Sequence, residues 1–246
     1  MNIVLLYLAS NLLWLLAGFV AGITSFGGNL VAVPFITLLF EPRVAILAGC
    51  ISGTMVFLGL CYFYRKNILW KDALFLMSGA AFGIPIGLRF LTLAGEKSIL
   101  LAAGLALLLF LLWQFVSGKL ARREKPLPLS FACLFGFVSG IMMAAVGMGG
   151  PPLVLFAFLR NWSKEATLGT VNAVSVGLML YVLPGQYLSG LYSPQIFLLG
   201  STGAVFALLG IIFSIPVVRK INIALFRTLL LIMLLISAII LIMRAL

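Results

Sequence analysis

The sequence predicts an all-α polytopic membrane protein made of two inverted repeats, each a glycine-broken helical hairpin followed by three transmembrane helices. Three observations predict it. Residues are 64% hydrophobic and only 9% charged, with mean hydropathy +1.28, whereas soluble domains carry about 25% charged residues. The chain repeats itself: GFVAGITSFGGNLVAVP at 18–34 returns as GFVSGIMMAAVGMGGPPLVLF at 136–156, with four extra residues before the second glycine pair. The basic residues, finally, distribute between the loops in a way that only folded-back hairpins turn into a bias.

A spanning helix needs roughly 20 apolar residues. Long runs occur at about 3–22, 44–64, 73–93, 98–117, 127–146, 166–186, 195–216 and 223–243. Shorter runs, about 28–40 and 150–160, follow Gly27-Gly28 and Gly149-Gly150. At 1.5 Å per residue these arms reach about 16–20 Å, too little for a hydrocarbon core of roughly 30 Å. The glycine turns therefore belong within the membrane. The charge-rich stretch KLARREKP separates repeat 1 (about 1–118) from repeat 2 (about 127–246) as a linker at 119–126.

If each broken element crossed the membrane once, eight basic residues would lie on each side, against the cytoplasmic excess such proteins carry. With hairpins, Arg160, Lys164, Arg219, Lys220 and Arg227 join the linker side and Arg244 leaves it. The tally of the 16 basic residues becomes twelve against four. The linker is then cytoplasmic, the loop at 185–193 and both termini are extracytoplasmic, and the halves are inverted. No basic residue precedes the first apolar run, so that run is expected to stay in the mature protein rather than act as a signal peptide.

Broken helices at matching positions in two halves are the usual pointer to a transporter's binding site. A helix that starts inside the membrane offers free backbone N–H groups and about half a positive charge, which suits an anion. Gly147, Gly149, Gly150 and Pro151 mark one such start, with Pro151-Pro152 placed in the first helical turn where a missing N–H costs least; Gly27, Gly28 and Asn29 mark the other. Neutral donors in the apolar runs are Thr24, Ser25, Ser52, Thr54, Thr170, Asn172 and Ser175, each of which also reads as a polar group satisfied by helix packing. Of these, Thr24, Ser25 and Asn172, with the two helix starts, form the candidate substrate site. Gly18/Gly22 and Gly136/Gly140 read as helix-packing pairs. Trp14, Trp70, Trp113 and Trp162 read as interfacial anchors, Arg89 as a snorkelling anchor, and Pro85, Pro184 and Pro216 as kinks or hinges.

There is no histidine, and the five acids, Glu41, Asp72, Glu96, Glu124 and Glu165, fall in loops or at helix ends. The ordinary intramembrane proton relays are therefore missing, as are zinc-protease and histidine-triad chemistry. Cys50, Cys61 and Cys133 lack metal-ligand spacing. No enzyme activity, metal or cofactor is expected. The net charge of +11 follows the loops rather than a phosphate-binding face, which speaks against nucleic acid.

The paired motifs, above all VGMGGPPLVL (146–155) after GFVSG, resemble the sulfite exporter TauE/SafE family of membrane permeases across essentially the whole chain. The first motif departs from the family in carrying Asn29 where another glycine is common. The resemblance implies a transporter of small sulfur-containing anions (sulfite, thiosulfate or an organosulfonate) in a bacterial cytoplasmic membrane. Export is the direction expected; uptake of an organosulfonate or carboxylate is the alternative within transport. A non-transporting membrane assembly factor is the alternative of a different class. Partners reduce to the anion and the lipid bilayer, with homo-oligomerisation left open.

Overall fold

The computed structural model describes residues 3–24, 28–117, 126–218 and 223–246. Among them ten α-helices follow the predicted order: α1 Ile3–Thr24, α2 Gly28–Ile36, α3 Pro42–Phe63, α4 Trp70–Leu93, α5 Glu96–Ser117, α6 Ala132–Val146, α7 Gly150–Leu159, α8 Lys164–Leu188, α9 Pro194–Val218 and α10 Ile223–Ala245. Among the described residues, seven helical segments are long and apolar enough to cross a bilayer. The protein is a multi-pass, all-helical membrane protein. The repetition persists in the helices: α2 and α7 begin 122 residues apart, at Gly28 and Gly150, and so do α3 and α8, at Pro42 and Lys164. Except for Pro126, the predicted linker at 119–126 lies outside the described residues, as do Arg219 and Lys220.

Each broken element folds back on itself. In the second, the Leu127 amide donates to the Leu159 carbonyl at 3.0 Å, joining the entry of α6 to the exit of α7. In the first, the Tyr7 and Phe40 rings meet edge-on with centroids 5.9 Å apart. The returning arms are shorter than predicted. α2 stops at Ile36 and continues as a turn, in which the Thr37 hydroxyl donates to the Pro34 carbonyl and the Leu38 and Leu39 amides bond only three residues back. α7 ends with Asn161 left-handed (φ 56°), and Trp162 beyond it packs edge-on against Phe156. Such an apolar contact back onto the last turn is the usual companion of this helix stop.

The chain divides into two compact units, and neither is a sequence half. The first comprises Met1–Val56, Ala94–Leu111 and Tyr192–Leu246; the second comprises Phe57–Leu93 and Leu112–Leu191. In the first, α1 runs parallel to α9 from the other half. A Cβ on Gly18 would stand 1.9 Å from the Ala207 carbonyl oxygen, and one on Gly210 would stand 2.1 Å from that of Leu15. In the second, α4 pairs with α6 in the same way: Gly79 meets the Cys133 carbonyl and Gly136 that of Leu76, each at 1.9 Å from a built Cβ. Small residues let backbones approach this closely where lipid tails supply no hydrophobic drive. The packing role predicted for Gly18, Gly22, Gly136 and Gly140 is what the contacts show.

Polar ties hold the helix ends. In the first unit Arg43 donates to the Ala94 carbonyl at 2.9 Å and Lys97 to that of Leu246 at 3.0 Å, while Arg244 bonds the Thr37 carbonyl beyond α2. In the second, Arg160 donates to Asp72 at 3.0 Å and to the Leu127 carbonyl at 2.8 Å. Asp72 is thus a helix-end acid, as expected, yet buried and paired. Glu41 and Glu165 are exposed. Arg89 is exposed near the end of α4, where a snorkelling side chain belongs.

Candidate functional site

The predicted donors separate by unit. In the first, Ser25 and Gly27 lie outside the described residues, and Thr24 closes α1. Gly28 opens α2, and Asn29 beside it is 7% exposed, its amide donating to the Gly49 carbonyl of α3 at 3.2 Å. Gly49 and Gly53 are what make room for it, since a Cβ on Gly53 would lie 2.9 Å from Asn29 Oδ1.

Next to Asn29 sits a residue that sequence reading misplaced. Trp14 is 1% exposed, not an interfacial anchor. Its ring and the Asn29 amide both lie within 4 Å of a Cβ built on Gly49. Its pyrrole edge rests on Gly203 of α9, beside Ser52: a Cβ on Gly203 would stand 2.6 Å from Trp14 Nε1 and 2.7 Å from Ser52 Oγ. Ser52 itself donates to the Gly200 carbonyl at 2.8 Å. The opposite face of α1, Leu5, Leu8, Leu12 and Leu16, is exposed. Position in the run was the missed signal, since Trp14 stands mid-helix whereas anchors stand at helix ends.

In the second unit the turn between α6 and α7 is built by Gly147, left-handed at φ 72°, a conformation open to glycine without steric cost. The Gly147 amide donates to the Met143 carbonyl and the Met148 amide to that of Met142. Ser139 Oγ donates to the Gly149 carbonyl at 2.6 Å and fastens the turn. Pro151 and Pro152 have no N–H, so Gly149 and Gly150 carry the amides of this turn that the capping bonds leave unspent. The two glycines differ sharply. A Cβ on Gly149 would meet Met143 Cβ at 2.8 Å and the Ser139 carbonyl oxygen at 2.9 Å; one on Gly150 would meet nothing within 4 Å. Open space faces the start of α7 at Gly150.

Three of the predicted hydroxyls, Ser52, Thr54 and Ser175, spend their protons on carbonyls. Thr54 donates to the Cys50 carbonyl at 2.6 Å and Ser175 to that of Val171 at 2.9 Å, each one turn back in its own helix. Thr170 Oγ1 accepts the Leu69 amide at 2.9 Å. Asn172, 1% exposed, donates to Leu168 O at 2.8 Å. For Thr54 and Ser175 the helix-packing reading therefore prevails, because a hydroxyl bonded to a carbonyl turns lone pairs, not its proton, outward, whereas Thr170 spends a lone pair on the Leu69 amide. Among the described residues, the buried side-chain donors without a partner in the first unit include Ser10 Oγ and Trp14 Nε1, both on α1. An unpaired buried donor costs about 1–3 kcal/mol, so this face of α1 is not finished by the protein alone.

The family model for the sulfite exporter TauE/SafE matches residues 11–241. Searches of curated proteins and of solved structures returned no significant match. With a match over nearly the whole chain, the protein belongs to the TauE/SafE sulfite exporter family of membrane transporters.

Proposed function

We propose that this protein moves small sulfur-containing anions (sulfite, thiosulfate or an organosulfonate) outward across a bacterial cytoplasmic membrane, with half-helix N-termini as the anion-holding elements, that of α2 in the first unit and that of α7 in the second. The family match carries the transport reading. Support for the site comes from the two helix starts, from the unspent amides of Gly149 and Gly150, and from the open space at Gly150. Gly28, Asn29, Gly147 and Pro151 belong to these starts, and Gly27, Thr24, Ser25 and Asn172 complete the proposed substrate residues. The whole chain acts as one transport domain with two inverted repeats.

Direction follows from charge. An inside-negative potential drives an anion out by about 2.3 kcal/mol per charge per 100 mV, so export needs no coupling carboxylate, and the exposed Glu41 and Glu165 are not required as relays. Sulfite titrates near neutral pH and can mimic proton coupling by itself, whereas a permanently charged sulfonate cannot. In liposomes, flux of methanesulfonate or isethionate, whichever the protein accepts, is expected to rise severalfold with an imposed potential. A pH gradient clamped at zero potential should do little. Accumulation driven by the pH gradient alone would overturn the facilitator reading.

The inverted topology places both termini outside and the 119–126 linker inside. Single cysteines, introduced after replacing the native three, should label at 187–192 from outside the cell and at 119–125 only after permeabilisation. The reverse pattern would turn the whole arrangement over.

A further inference from the structure

Resting on the anion-transport reading, we infer that Trp14 and Ser10 form a substrate contact on α1, the indole N–H and the hydroxyl donating directly to the oxygens of the sulfur anion. The two are one helical turn apart, so they share a face, and they are 1% and 0% exposed. Neither Trp14 Nε1 nor Ser10 Oγ has a partner. Both are neutral donors able to serve an oxyanion, and an indole N–H can only donate.

The surroundings are built around this ring. Gly203 admits its pyrrole edge, Gly49 its far edge, and the Asn29 amide lies against the same Gly49. Ser52 spends its proton on the Gly200 carbonyl, so it does not compete for the ligand as a donor. The repeat supplies no equivalent in the other half. Ahead of the four-residue insertion the repeats are offset by 118 residues, which pairs Ser10 with Pro128 and Trp14 with Ala132, neither of them a side-chain donor.

The test is anion binding by purified full-length protein, with sulfite, thiosulfate and methanesulfonate as probes. Trp14→Phe keeps most of the ring volume and removes the N–H, and Ser10→Ala removes the hydroxyl. Each variant is expected to weaken binding of the accepted anion at least tenfold, and the pair together less than additively, because they serve one ligand. With 5-fluorotryptophan incorporated, the Trp14 resonance should shift on adding the anion, a change that a purely structural tryptophan would not show. Normal affinity in both variants with an unmoved Trp14 resonance would overturn this contact and leave the transport reading standing. Failure of the wild-type protein to bind any of the three anions would overturn both. If Trp14→Phe does not fold, Ser10→Ala and the fluorine resonance decide the matter.

Discussion

Gly150→Val is expected to reduce anion flux to background, a loss of about 100-fold or more, while the protein remains folded. A Cβ at Gly150 has nothing within 4 Å, so the branched side chain enters open space rather than another helix. That space lies against the unspent amides at the start of α7, where an anion would approach the backbone. The thermal midpoint in detergent should stay within the ~2–4 °C that 1 kcal/mol moves a chain of this size. Gly149→Val does not serve the same purpose, although the sequence makes the two glycines look interchangeable. Its Cβ would press on Met143 and on the Ser139 backbone, so lost transport there would report a damaged turn. Unimpaired flux in the Gly150→Val variant would place the substrate elsewhere.

Gly18→Ala carries the largest expected effect on stability. The added methyl would stand 1.9 Å from the Ala207 carbonyl oxygen and 2.7 Å from its Cα, where ordinary contacts lie at about 3.5–4.0 Å. Both atoms belong to the backbone of α9, so no side chain can swing aside and the helices must separate. Overpacking of this kind costs about 3 kcal/mol or more. The sequence reading that this glycine serves packing holds, but the cost is far from minor. Gly95→Ala is the control, since a Cβ there meets nothing within 4 Å. Thermal unfolding in detergent should separate the two variants by roughly 6 °C or more. Equal midpoints would mean that α1 and α9 are not in backbone contact.

By itself the sequence determined the class of protein, the order and position of the helices, and the two places where they break. These are local properties: an apolar run of given length, a glycine pair and a proline in the first turn act wherever the chain lies. The starts at Gly28 and Gly150 and the end at Val146 were legible for that reason. Hydropathy could not say which apolar face meets lipid and which meets protein, because a lipid tail and a buried leucine look alike to it. Only the tertiary structure decided that α1 pairs with α9 and α4 with α6, so that the two sequence halves interleave in both compact units. It also decided that Trp14 lies buried against Gly203 instead of at the membrane surface. The same holds for the polar residues. Ser52 and Ser10 are the same letter, yet the first donates to the Gly200 carbonyl at 2.8 Å, 148 residues away, and the second has no partner. A donor's availability depends on which carbonyl stands within 3 Å of it, and that distance is set by packing between segments far apart in the chain.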